Sequence, residues 1–272
     1  MSGFNVGDIV ARKSYGNDVY FRITDVTVRA DGSKVYSLRG LIYRIFADSH
    51  GDDLLLQHPR QVQLHMRKGM YADGMPRQAR GILRPSPFLQ RIRGKAGRIL
   101  HIDSSSDYLD MCLKYYRNIN VKVSGHVIPE SEQPRHIRQL LAGSGADILI
   151  VTGHDSIKKD SGKPNSLESY RNSKYYIQSV TEARRYEPSL DRLCIFAGAC
   201  QSYYEGIMEA GANFASSPGR ILIHALDPAK VGDRVALTDS RVMVTPEQIA
   251  GMTQSGSKGI GGIKTRGHFI AG

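Results

Sequence analysis

Hydrophobic residues change their spacing partway along the chain, and the change divides it. Up to about residue 60 they come in short, loosely alternating runs. These are Phe4–Arg12, with its Val-Gly-Asp-Ile-Val element, then Val19–Ile23, Val26–Arg29 and Val35–Gly40. A period of two marks strands with one buried face. Asp31-Gly32, between two such runs, predicts a hairpin turn. Several short strands at this spacing predict a small β-barrel of SH3-like size over residues 1–60. Residues 61–96 then read as a basic connector, where Pro76, Pro85 and Pro87 limit any helix.

From Gly97 the period lengthens. Arg98–Asp103 is a short apolar run that closes in Ser104-Ser105-Ser106-Asp107, residues suited to a helix cap. Tyr108–Asn118 follows, with Leu109, Cys112, Leu113 and Tyr116 at helical spacing. Ile119–Ile128 reads as the next strand. A helix opens at Glu130-Ser131-Glu132, runs through Leu141 and ends at Gly143. Ala146–Val151, Arg192–Ala199 and Asn213–Ala225 are further strands. Helices Ser173–Tyr186 and Tyr203–Ala210 separate them and stop at Pro188 and Gly211. Strand and helix alternate throughout 97–245, which predicts an α/β domain with a mostly parallel sheet and helices on both faces. Residues 246–272 are expected to be a flexible, glycine-rich tail, with six glycines and one aromatic residue from Gln254 onward.

Composition narrows the setting. Of 272 residues, 40% are hydrophobic and 23% charged, as in ordinary globular proteins. No run approaches the ~18 to 20 apolar residues that cross a bilayer, so no membrane contact is expected. The N-terminus lacks the basic start and apolar core of a signal peptide, so a protein used inside the cell is expected. Three irregularly spaced cysteines make neither a disulfide framework nor a four-ligand zinc site. No acidic loop of EF-hand type is present either. No metal or cofactor is therefore expected. The net charge is +11, and Arg77 to Arg98 holds six arginines and a lysine without one acid. A single aromatic residue, Phe88, lies there, too little for a base-stacking platform, so a solvated linker is favoured over a nucleic-acid surface.

Two strands end in reactive residues. Ile148–Val151 runs on through Thr152-Gly153 to His154, and Leu193–Ala197 through Gly198-Ala199 to Cys200. Ligands of such sheets bind beyond the carboxyl ends of the strands, where both residues fall. Cys200 is read as a nucleophile and His154 as its base. A helix following Cys200 would favour a thiolate. The backbone N–H groups of Asp155 and Cys200 are candidates for an oxyanion hole. Gly153 would permit a sharp turn, and Gly198 and Ala199 would admit a substrate backbone. Cys194, inside its strand, and Cys112, on a helix face, read as small buried hydrophobes.

The segments Thr152-Gly153-His154-Asp155 and Gly198-Ala199-Cys200 resemble the caspase–legumain–gingipain–separase clan of cysteine peptidases, with Asp155 where the clan has glycine. Together with the Val6-Gly7-Asp8 opening, the whole chain is similar to a family of sporulation-specific proteases of spore-forming Firmicutes. The resemblance implies a caspase-like fold over 97–245. It also implies a cysteine endopeptidase that cleaves spore-coat and related proteins after arginine, in the mother cell cytoplasm and the spore coat. An arginine preference needs an acidic pocket. Asp103, Asp107 and Asp155 are the candidates and Asp103 is favoured; Asp107 also reads as a helix cap and Asp155 as an orienter of His154. Exposed arginines at Arg77, Arg80, Arg84, Arg91, Arg93, Arg98 and Arg266 are candidate self-cleavage sites. Two other readings compete. One is a nucleic-acid-binding or scaffold protein that uses the barrel and the Arg-rich connector. The other is an amidase or acyltransferase acting on small molecules with the same dyad. Oligomeric state is left open.

Overall fold

Alternation along the N-terminal runs becomes one antiparallel sheet in the computed structural model. The structure describes residues 3–71, 94–158 and 166–272 and falls into two units, 1–86 and 87–272. In the first, β1 (Ile9–Arg12), β2 (Tyr20–Val28), β3 (Lys34–Gly40), β4 (Phe46–His50) and β5 (Leu54–Leu56) lie in the order β4-β3-β2-β1-β5. Val10, Phe21, Ile23, Tyr36, Leu38 and Leu54 are buried in its core. The runs Val19–Ile23 and Val26–Arg29 belong to the single strand β2. A register shift between Ile23 and Asp25 breaks the alternation that made them look separate. The Asp31-Gly32 turn forms as expected, with Gly32 at φ 78. Helix α1 (Pro59–Tyr71) takes up the start of the connector. Arg77, Arg80, Arg84, Arg91 and Arg93 lie outside the described residues.

The second unit holds six strands in the order β13-β11-β10-β9-β7-β8. They are β7 (Ile99–Asp103), β8 (Val123–Val127), β9 (Ile148–Val151), β10 (Cys194–Ala197), β11 (Phe214–Ser216) and β13 (Ile260–Gly262). The first five are parallel and β13 is antiparallel. The strands β7, β9 and β10 are buried on both faces, which explains their continuous apolar runs. Leu100, Ile102, Leu149, Val151 and Ile195 pack in one cluster with Ile137 and Leu141 of α3 (Gln133–Ser144), Tyr176 and Val180 of α4 (Ser173–Tyr186) and Ile207 of α5 (Tyr204–Glu209). The alternate residues Ile99 and Ile150 face α6 (Asp227–Leu237). A Cβ added to Gly232 there would lie 3.1 Å from Ile99 and from the hydroxyl of Tyr116 in α2 (Ser106–Asn118). Helices thus cover both faces, as the alternation predicts. Helix α6, with Pro228 in its first turn, was not read from the sequence. Among the described residues, no helix is long and apolar enough to cross a membrane.

The C-terminal stretch departs from its expected flexibility. It carries α7 (Pro246–Ala250), α8 (Gly256–Gly259), β13, β14 (Thr265–Arg266) and β15 (Ile270–Ala271). The strand β14 pairs with β12 (Met243–Val244), and β15 with β6 (Gly94–Lys95). Its glycines serve close packing. A Cβ on Gly262 would sit 2.4 Å from the Asn213 carbonyl, and one on Gly261 2.6 Å from the Tyr204 hydroxyl. Arg266 is therefore held in a strand. Arg98 stands just before β7, and its carbonyl accepts from the N–H groups of Asp147 and Ile148. Both side chains are partly exposed, but the backbone at each is paired rather than free, unlike the flexible loop that self-cleavage there expects.

Gly262→Val should lower the unfolding free energy by about 2 kcal/mol or more through overpacking against β11. Urea unfolding checks this, since a flexible tail would leave the midpoint unchanged.

Candidate active site

Register places four loops at one edge of the parallel sheet. Asp103 pairs with Val127, Ile102 with Val151, and Val151 with Ala197. Glu130, His154 and Cys200 each stand three residues past Val127, Val151 and Ala197. Ser104 directly follows β7. The chain order reverses at β7, with β8 on one side and β9 on the other, and such switch points form crevices in open α/β sheets.

His154 is held on every side. Its backbone N–H donates to Glu130 Oε1 at 2.8 Å. Its carbonyl accepts from Asn172 Nδ2 at 2.8 Å and from the Tyr176 hydroxyl at 3.1 Å. The Tyr108 ring stacks on its imidazole at 5.1 Å. Ser104 Oγ lies 2.5 Å from Glu130 Oε1 and 3.3 Å from His154 Nδ1. A serine has one hydroxyl hydrogen. We assign it to the shorter contact with the carboxylate, so Ser104 accepts Nδ1–H, and Nε2 keeps the lone pair a base needs. Burial pushes the Glu130 carboxyl upward, but the hydrogen bonds and charge of His154, with Ser104, outweigh it and hold Glu130 below the ordinary glutamate value. Glu130 was read only as the start of a helix. Its position three residues past β8, matching that of His154 past β9, was the signal. Gly153 is required by closeness rather than by a left-handed turn, because a Cβ would meet Glu130 Oε1 and Ser104 Oγ at 2.5 Å.

Cys200 sits on a tight bend. Gly198 before it has φ 112 and Gln201 after it φ 53, a left-handed value uncommon for a side-chain-bearing residue. Its Sγ accepts the Ile223 backbone N–H at 3.0 Å and donates to the Ile223 carbonyl at 3.7 Å, so the same residue offers a donor to a thiolate and an acceptor to the thiol. The helix expected to favour a thiolate starts later, at Tyr204 with Tyr203 as its cap. The thiol has no exposed surface, and the 221–223 backbone lies against it and against Gln201 N–H. The other two cysteines are buried as expected. Burial pushes the Cys194 thiol up to about 12, and Cys112 Sγ donates to the Ala225 carbonyl at 3.5 Å.

Asp155 joins the two loops. Its Oδ1 accepts from Ser156 N and Asn172 N at 2.8 Å, and its Oδ2 from Ser173 Oγ at 2.5 Å and Ser202 Oγ at 3.0 Å. Burial, the largest effect, raises its carboxyl to about 6 against these donors. Asp155 is thus a buried strut and has no surface to offer a substrate arginine. Asp103, the favoured acid, is also fully buried, with Oδ1 accepting from Ser105 N at 3.0 Å and Oδ2 3.8 Å from His101 Nε2. Of the three candidates only Asp107, in the first turn of α2, is exposed.

The family described as YabG peptidase U57 matches residues 5–272 of the chain. The chain is 36% identical over 280 residues to the sporulation-specific protease YabG of Bacillus subtilis (strain 168), covering 97% of this chain and 96% of that protein.

Folded Asp155 keeps its proton up to about pH 6, whereas the ordinary carboxyl loses it near 3.8. Between these values the folded state binds the extra proton, so this group's contribution to stability is greatest below pH 3.8 and is lost as pH rises toward 6. The unfolding free energy of the wild type relative to Asp155→Asn should therefore drop by about 3 kcal/mol from below pH 4 to above pH 6. Denaturant titrations of both proteins across that range measure it.

Proposed function

The chain belongs to the YabG peptidase U57 family and is a peptide hydrolase, and we propose that it is a cysteine endopeptidase in which Cys200 attacks and His154 moves the proton. The observation that carries this reading is the shared register: both residues stand three positions beyond the paired residues Val151 and Ala197. His154 Nε2 takes the thiol proton. The thiolate adds to the scissile carbonyl, and the imidazolium returns the proton to the leaving amine. Water, activated by the same nitrogen, then hydrolyses the acyl-enzyme. Glu130 and Ser104 hold the Nδ1–H tautomer and stabilise the imidazolium, while the N–H groups of Cys200 and Asp155 receive the developing oxyanion. The clan resemblance of the two segments supports a caspase-like arrangement of this edge.

The finer assignments are also part of the proposal. The substrates are spore-coat and other sporulation proteins, met in the mother cell or spore coat and cut after arginine. Self-cleavage falls among Arg77, Arg80, Arg84, Arg91 and Arg93.

Cys200→Ala and His154→Ala should each abolish cleavage of arginyl fluorogenic peptides while folding persists, and a thiol alkylator should do the same to the wild type. Activity that survives both variants and the alkylator overturns the reading. Glu130→Gln should lower kcat roughly 100-fold or more with little change in KM, because the base loses its tautomer control. Intact-mass spectrometry of the wild type against Cys200→Ala checks self-cleavage, and equal masses after long incubation exclude it.

A further inference from the structure

Beside the nucleophile, the chain already holds a guanidinium. Arg220 Nε donates to the Tyr170 hydroxyl at 2.8 Å and Nη1 to the Ser217 carbonyl at 3.1 Å, while Nη2 pairs with Glu205 Oε2. Its Cζ lies 5.7 Å from the Tyr170 ring centre and 6.0 Å from that of Tyr203, and the two rings stack 5.4 Å apart. A carboxylate, a hydroxyl acceptor, a carbonyl and two aromatic rings suit a planar, fully charged fork and suit an ammonium poorly.

The cradle stands on the catalytic loops. Tyr203 is three residues past Cys200, and its N–H donates to Ser173 Oγ, which itself donates to Asp155. The segment that carries Arg220 lies where the two loops face it. Its Ile221 carbonyl accepts from Gln201 N at 3.2 Å, and its Ile223 N–H reaches Cys200 Sγ at 3.0 Å. Ser217 and Arg220 adopt φ 68 and 54, left-handed values that cost side-chain-bearing residues free energy. The cradle is also reachable, since the Glu205 side chain is 51% exposed and that of Arg220 20%.

We propose that Tyr170, Tyr203 and Glu205 form the subsite for the substrate's arginine side chain, and that Arg220 fills it until substrate displaces the 217–223 segment. The proposal rests on the cysteine endopeptidase reading for its position beside the scissile bond. The exchange is non-covalent, one guanidinium for another, and it frees the thiol of its backbone cover. Glu205 is then the specificity-determining acid.

Two measurements on the full-length chain test it. In a Cys200→Ala background, agmatine should bind measurably by calorimetry once Arg220→Ala empties the cradle, and adding Glu205→Gln should weaken it roughly tenfold or more. In the active enzyme, Glu205→Gln should lower kcat/KM for an arginyl peptide roughly 10- to 100-fold and shrink its advantage over the isosteric citrulline peptide. Glu205→Asp should restore part of that advantage, Asp107→Asn should leave it intact, and Arg220→Ala should lower KM. Thermal melts of each variant confirm folding. An unchanged arginine-to-citrulline ratio in Glu205→Gln, its loss in Asp107→Asn, or no agmatine binding in Arg220→Ala each overturns the proposal. Glu205-dependent agmatine binding without alkylator-sensitive cleavage would support the subsite and overturn the endopeptidase reading instead.

Discussion

One buried carboxylate holds the edge of the sheet in order. Asp155 has no contact with solvent, and a lone ion there would be costly. Four donors from three segments offset that cost: Ser156 beside it, Asn172 and Ser173 at the start of α4, and Ser202 after Cys200. Because a parallel sheet has no hairpins between neighbouring strands, the loops beyond its strands are not tied by the chain itself. Asp155 supplies that tie between the loop of His154 and the loop of Cys200. The bend at Cys200 is fixed separately, by Gly198 at φ 112 and by Ser216 Oγ donating to the Ala199 carbonyl.

The two acids of this edge are separated by their surroundings. Both are buried, and burial alone raises a carboxyl. Glu130 faces His154 and Ser104 and is held low; Asp155 faces neutral donors and is held high. The first therefore keeps its charge beside the His154 imidazole, and the second braces the backbone. The segment after β11 completes the arrangement. One stretch of backbone gives the thiol both a donor and an acceptor through Ile223 and shelters it from solvent.

Much of the fold follows from local pattern. The Asp31-Gly32 hairpin, the alternation of strand and helix after Gly97 and the cap at Ser105 are all local chemistry, whereas the helix expected to end at Gly143 runs on to Ser144 and caps on Gly145. The pair His154 and Cys200 was visible because reactive residues at the ends of apolar strands stand out against their flanks. Misreadings came where partners far along the chain decide the outcome. The glycines after Gln254 look flexible by composition, yet they form a strand because Phe214 and Tyr204 leave room only for a hydrogen. Asp103 looked like an open acid at a strand end and is buried beside His101.

Sequence alone thus determined most of the elements before residue 213 and their order, and singled out His154 and Cys200 as candidates, since these depend on side-chain period and on neighbours a few positions away. Tertiary structure alone decided that Glu130 supports the histidine, that Asp155 is a strut and that Arg220 lies between two tyrosines. Glu130 reaches His154 across 24 residues and Arg220 reaches Tyr170 across 50. Contacts at that separation are set by strand order and register, which no local spacing encodes.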